Sequence, residues 1–119
     1  MSMKLFDAEL KVMEVLWKEG DTTAKRVAEI LNKKIGWCKT TTYTMLKRLR
    51  DKGAIERREP NWLCHPLVTA EEAREYETTE LINRMFGGAS DRLVASILER
   101  RDLSKKEIER LKKMVRELK

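Results

Sequence analysis

The hydrophobic period of this chain switches once to that of a strand and then back, and this switch constrains the fold more than any other feature. Up to Gly53, apolar side chains recur at three- and four-residue steps, the spacing of one helix face. Directly after Gly53, Ala54-Ile-Glu-Arg-Arg58 reads as a short strand. Glu59-Pro-Asn61 is a turn signal, and Trp62-Leu-Cys-His-Pro-Leu67 reads as the return strand, with Pro66 near its end. Helical spacing then resumes and continues to the C-terminus.

The first part divides into three helices. Asp7 is placed to cap a helix reaching about Glu19, with Leu10, Met13, Leu16 and Trp17 on one face and Gly20 as its stop. Thr22 or Thr23 caps a second helix carrying Val27, Ile30 and Leu31, which ends near Lys33–Gly36. Trp37 and Cys38 lead into a third helix, about Thr40 to Lys52, closed by Gly53. Three helices followed by a hairpin is the order of a winged helix-turn-helix, in which the third helix enters the DNA major groove and the hairpin is the wing. The predicted fold is mainly α with a small β-hairpin wing, followed by a helical dimerisation domain.

The third helix carries the chemistry. Successive helical side chains turn by about 100°. With Leu46 facing the core, Tyr43 and Leu49 share its side and Thr42 lies close to it. Thr41, Thr44 and Arg48 fall on the opposite face, flanked by Met45 and Lys47. Arg48 can bond a guanine through two parallel hydrogen bonds, and Thr41 and Thr44 can offer a hydroxyl to a base edge or a methyl to thymine. Thr40 can cap the helix or bond a phosphate. Lys39, Lys47, Arg50 and Lys52 lie near the groove walls, and the wing adds Arg57, Arg58 and Asn61. Phosphate contacts set position, whereas base contacts specify sequence.

Charge is focused on the same segment. The 119 residues carry a net charge of +6, yet residues 33–58 hold 9 Lys/Arg against 2 Asp/Glu. Residues 68–119 are almost balanced, with 12 against 11. Such focusing suits a polyanion, here double-stranded DNA. The alternative partner is an acidic protein surface, bound by a winged helix that reads no DNA.

Residues 69–119 form a second predicted domain beside a winged helix at residues 1–68. Thr69 with Glu72 makes a capping box for a helix ending at Phe86-Gly87-Gly88. Ser90 or Asp91 caps a fifth helix, with Leu93, Val94, Ile97 and Leu98 on one side. Ser104 with Glu107 starts a sixth, with Ile108, Leu111, Val115 and Leu118 as a heptad-like seam. A piece of about 50 residues has little core of its own. Its two apolar faces are expected to bury against a second copy in a two-fold dimer, the alternative being packing against the winged helix.

Other chemistry is sparse. Cys38 and Cys64 are expected as free thiols, with no disulfide, metal or cofactor. A zinc site needs four ligands, or three with an open position, and Cys38, Cys64 and His65 reach three only if the fold brings them together. Adjacent strand residues point to opposite faces, so Cys64 and His65 diverge, and a Cys–His nucleophile has no third orienting group. No enzyme activity is expected. No apolar run approaches the ~20 residues of a membrane span and no signal-peptide pattern is present, so a cytoplasmic location is expected.

The chain resembles the penicillinase/methicillin-resistance/copper-transport repressor family (BlaI/MecI/CopY). The resemblance lies in Ala8-Glu9-Leu10, Val12-Met13 and Leu16-Trp17, then in Thr40-Thr41, Thr44, Leu46, Arg48-Leu49 and Lys52-Gly53. It continues through Pro66-Leu67-Val68, Phe86-Gly87-Gly88 and Leu93-Val94. It implies a homodimeric transcriptional repressor whose winged helices each read half of a dyad operator, with Thr41, Thr44 and Arg48 as recognition contacts. It also implies a sensor-system protease as regulatory partner. The β-lactam branch is cut between an Asn and a Phe in the helix corresponding to about Leu93–Leu98, where this chain has Ser96-Ile97. The copper branch carries Cys-x-Cys pairs near its C-terminus, and this chain has no cysteine after Cys64.

Overall fold

The computed structural model describes residues 3–118. Among them the order is α1 (Asp7–Glu19), β1 (Thr22–Thr23), α2 (Ala24–Ile35), α3 (Lys39–Asp51), β2 (Ile55–Arg58), β3 (Leu63–Pro66), α4 (Ala70–Phe86), α5 (Ser90–Leu98) and α6 (Lys105–Arg116). The fold is mainly α with a three-stranded antiparallel sheet of order β1-β3-β2. The chain divides into two compact units after Thr79. The first takes in the opening turns of α4, beyond the 68/69 division drawn from the sequence.

Most element ends follow from local chemistry. Phe6, not Asp7, stands at the N-cap of α1, and its backbone N–H donates to Glu9 Oε1 at 2.9 Å. Asp7 is instead the first helical residue, where its charge suits the positive end of the helix dipole. Thr23 caps α2 by accepting from the Arg26 N–H at 3.2 Å. Gly53 ends the third helix at φ 83°, a conformation that disfavours a Cβ, and lets Ala54 N–H reach back to the Leu49 carbonyl at 2.8 Å.

β1 is the element absent from the sequence reading. Two residues carry no period, and the strand exists only because Thr22 and Thr23 lie against Cys64 and Leu63 of β3. The hairpin register sets Ile55 opposite Pro66, Glu56 opposite His65, Arg57 opposite Cys64 and Arg58 opposite Leu63.

The core of the first unit is built from Val12, Met13, Leu16, Val27, Leu31, Leu46, Leu49 and Ile55, all nearly inaccessible to solvent. The Trp17 ring N–H donates to the Val68 carbonyl at 2.8 Å, fastening the chain that leaves the wing onto α1. One charge enters this core. Glu9 is buried and pairs with Lys52 Nζ at 2.8 Å, and the same ammonium donates to the Lys4 carbonyl at 2.8 Å. This pins the end of α3 to the start of α1. Removing Lys52 would leave a buried carboxylate unpaired, at a cost of order 3 kcal/mol.

In the second unit Ser104 and Glu107 form a reciprocal capping box at α6, with both bonds at 3.1 Å. At α5 the N-cap is Ala89, not Ser90 or Asp91, and no side chain caps it. None of the described residues beyond Thr79 is buried.

Candidate nucleic-acid interface

The interface is organised by α3. The helix begins one residue earlier than its periodicity suggested, with Cys38 at the N-cap in extended backbone and no side-chain cap. Thr40 is therefore inside the first turn rather than capping it. The helix buries Thr42, Met45, Leu46 and Leu49, with Tyr43 half-buried beside them. Met45, expected to flank the exposed face, is only 9% exposed and belongs to the core. One step from Leu46 leaves it within the buried arc, which is wider than the Tyr43–Leu46–Leu49 stripe alone.

The opposite face carries Thr41, Thr44, Lys47 and Arg48. Thr44 is exposed, and its hydroxyl donates to the Thr40 carbonyl at 2.9 Å. Its proton is thus used within the helix, leaving oxygen lone pairs and a methyl turned outward. Thr41 is half-buried, its Oγ1 lying 3.2 Å from Cys38 Sγ. The Thr41 hydroxyl holds the Cys38 thiol below its ordinary pKa. Lys47 and Arg48 are exposed and have no ion pair with any described residue. Lys39 lies 5.6 Å over the Tyr43 ring, and Arg50 reaches only the neighbouring Asp51, at 3.5 Å. Lys52, placed near the groove walls from sequence, is instead committed to Glu9.

The charged side chains of the wing pair with one another and with Asp21, which precedes β1. Period-two alternation puts Glu56 and Arg58 on one face with His65. There Arg58 pairs with Glu56 at 3.2 Å and approaches Asp21 at 3.6 Å, while His65 Nδ1 is 2.7 Å from Asp21. The other face carries Arg57 and the buried Cys64, so Cys64 and His65 do diverge. Asn61 is exposed at the tip. Among the described residues no three His, Cys, Asp or Glu side chains converge as metal ligands.

Trp62 is the structural residue that sequence reasoning treated only as part of a strand. Its ring meets Tyr43 of α3 edge-on at 5.2 Å, and the Arg57 guanidinium lies 4.3 Å over it. Its carbonyl accepts the Ala24 N–H at 3.0 Å, at the start of α2. A tryptophan beside the Glu-Pro-Asn turn signal was the available clue, since a large ring at a hairpin tip needs a surface to cover it.

Lys47 and Arg48 thus stand exposed and without an ion pair among the described residues, on a helix whose N-terminus has no side-chain cap. The family model described as penicillinase repressor matches residues 5–117. The chain belongs to the penicillinase repressor family. It is 31% identical to the penicillinase repressor of Bacillus licheniformis over 116 residues, covering 96% of this chain and 91% of that protein. It is 30% identical over 114 residues to the methicillin resistance regulatory protein MecI of Staphylococcus aureus (strain N315), covering 94% and 93%. Two solution structures resemble the penicillinase-repressor fold of this chain. The DNA-binding domain of the repressor BlaI has a TM-score of 0.54 at 32% identity, over 60% of this chain and 93% of that one. Monomeric Bacillus licheniformis BlaI in complex with the blaP half-operator has a TM-score of 0.54 at 31% identity, over 60% and 90%.

Proposed function

We propose that this chain is a sequence-specific DNA-binding transcriptional repressor, not an enzyme, acting as a homodimer on a dyad operator with α3 in the major groove. The observation that carries the reading is the exposed α3 face, where Arg48 and Lys47 project without an intramolecular partner beside Thr41 and Thr44. Unpaired cations on a winged-helix recognition helix suit phosphate and guanine, because DNA supplies the missing acceptors. The relatedness to BlaI, solved in complex with the blaP half-operator, supports the DNA-binding part of this reading.

Within this reading Arg48 reads a guanine edge, and Thr44 reads by its methyl or by accepting a base amino group, since its proton is already donated. Thr41 supplies the third reader. Lys39, Thr40, Lys47 and Arg50 meet the backbone around the uncapped start and outer wall of α3, and Arg58 and Asn61 do so from the wing. The second unit, residues from the later part of α4 onward, supplies the dimer through Leu93, Val94, Ile97, Leu98, Ile108, Leu111, Val115 and Leu118. Support for this is their exposure or half-burial in the single chain. A DNA operator as partner implies a cytoplasmic location in this reading; no described helix is long and apolar enough to cross a membrane. At the position where a regulatory protease would cut, α5 carries Ser96-Ile97 in place of the Asn–Phe pair.

The test is binding of the full chain to a duplex recovered by that chain from a randomised pool, beside scrambled duplex. Arg48→Ala is expected to cost about 1–3 kcal/mol and to relax preference at one base pair per half-site. Unchanged affinity and unchanged preference would show that α3 is not the reader.

A further inference from the structure

We propose that Trp62 is a positioning residue for DNA binding, which holds the wing arginine Arg57 at a fixed place relative to the recognition helix. This rests on the DNA-binding reading above and adds a residue and a mechanism to it.

Three observations meet at this ring. Trp62 packs edge-on against Tyr43, which belongs to the same helix as Thr44 and Arg48, with centroids 5.2 Å apart and planes at 82°. Arg57 lies over the ring, its guanidinium carbon 4.3 Å from the centroid. The Trp62 backbone takes φ 43°, unusual outside glycine, and its carbonyl is bonded to Ala24 N–H. A bulky residue accepts that conformation only where its surroundings hold it.

The register explains why Arg57, rather than Arg58, is the cation concerned. Arg57 opposes Cys64, and Trp62 lies two residues before Cys64, where the turn brings its ring under the Arg57 guanidinium. Arg58 lies on the other face of the hairpin with Glu56, away from the ring. Arg57 spends its Nε on Glu59 at 2.8 Å, an exposed pair that a phosphate can replace. Its remaining guanidinium N–H groups have no partner among the described residues. A flexible arginine on a hairpin tip ordinarily gives up rotamer freedom when it meets DNA. Stacked on Trp62, and through it on α3, the guanidinium is already placed when the helix docks.

The ring's own chemistry supplies a discriminating variant. Trp62 Nε1 is buried and has no hydrogen-bond partner. Phenylalanine therefore keeps the aromatic face and forfeits no bond, whereas leucine keeps much of the apolar contact and removes the face that Arg57 and Tyr43 use.

The experiment measures the affinity of the full-length chain for the selected duplex and a scrambled duplex across a salt series, with a thermal melt for each variant. Trp62→Leu and Arg57→Gln are each expected to flatten the plot of log affinity against log salt by about one unit per wing, and to weaken binding about five- to tenfold near 0.1 M salt. Trp62→Phe is expected to keep the wild-type slope. In the double variant the two losses are expected not to add, because both remove the same phosphate contact. A Trp62→Leu protein that is folded and keeps the wild-type slope overturns the inference, as does full additivity. If Trp62→Leu does not fold, an unchanged slope for Arg57→Gln or a flattened slope for Trp62→Phe overturns it equally. A wild-type chain that binds no duplex refutes the DNA reading itself. Loss on Arg48→Ala with no response at Trp62 and Arg57 refutes this inference alone.

Discussion

At the scale of single residues, the two cysteines are different chemical species. Cys38 is exposed at the N-cap of α3, and the Thr41 hydroxyl lowers its pKa from the ordinary 9.0. Cys64 is buried in β3, and burial pushes its thiol up to about 11. Since the thiolate is the reacting form, a maleimide or iodoacetamide near about pH 8 is expected to label Cys38 in the native protein and to reach Cys64 only after unfolding. Peptide mapping of labelled protein checks this, and native labelling at Cys64 would contradict its burial. The same shift has a stability consequence with a definite sign. The unfolded thiol titrates at 9.0 and the folded one near 11, so the fold favours the protonated form. The contribution is whole below pH 9 and is lost as pH rises toward 11. Denaturation midpoints of wild type and Cys64→Ala are therefore expected to converge over that range. A constant difference between them would mean that the thiol titrates alike in the folded and the unfolded chain.

At the scale of elements, α3 shows what a sequence can and cannot reveal. Its three consecutive threonines meet three fates. Thr40 is exposed, Thr41 turns its hydroxyl to Cys38, and Thr42 is 0% exposed with an Oγ1 that has no partner. A buried, unpaired hydroxyl is a cost, and valine has nearly the same shape and helix propensity. Thr42→Val is accordingly expected to raise stability by about 1 kcal/mol and to leave DNA affinity unchanged. Urea unfolding measures the first and a binding titration the second, and a lowered midpoint would show that the hydroxyl is in fact satisfied. The periodicity of α3, the turn after Arg58 and the capping boxes at Thr69–Glu72 and Ser104–Glu107 were legible because each depends on residues within one or two turns. β1, the burial of Met45, the commitment of Lys52 to Glu9 and the place of Trp62 were not. Each depends on a residue distant in sequence, and no local pattern encodes which surface will arrive there. The polar face of α3 lies between these cases. Its membership was readable from a 100° wheel, but the use of the Thr44 proton within the helix was not.

At the scale of the whole molecule, the two units differ in what holds them. The first has a closed apolar core, while the second has no buried residue among those described. Val94 is 52% exposed, Leu98 57% and Val115 66%. Two short helices that cover so little of each other do not offset the entropy of ordering their chain. The homodimer we propose resolves this by giving α5 and α6 a second copy to cover them, so that association and order of this unit are linked and thermal stability rises with protein concentration. Val115→Glu separates the possibilities, because at a site this exposed in the single chain a glutamate costs little until a partner covers it. Wild type is expected to sediment as a dimer at about micromolar concentration and the variant as a monomer. Each winged helix of the variant keeps its hold on a half-site, but binding to a dyad loses the gain from linkage, about 10²–10⁴-fold. A variant that sediments and binds the dyad as wild type does would place the dimer contact away from the α6 seam. A wild type that is monomeric at these concentrations would remove the homodimer and leave each winged helix to read DNA alone.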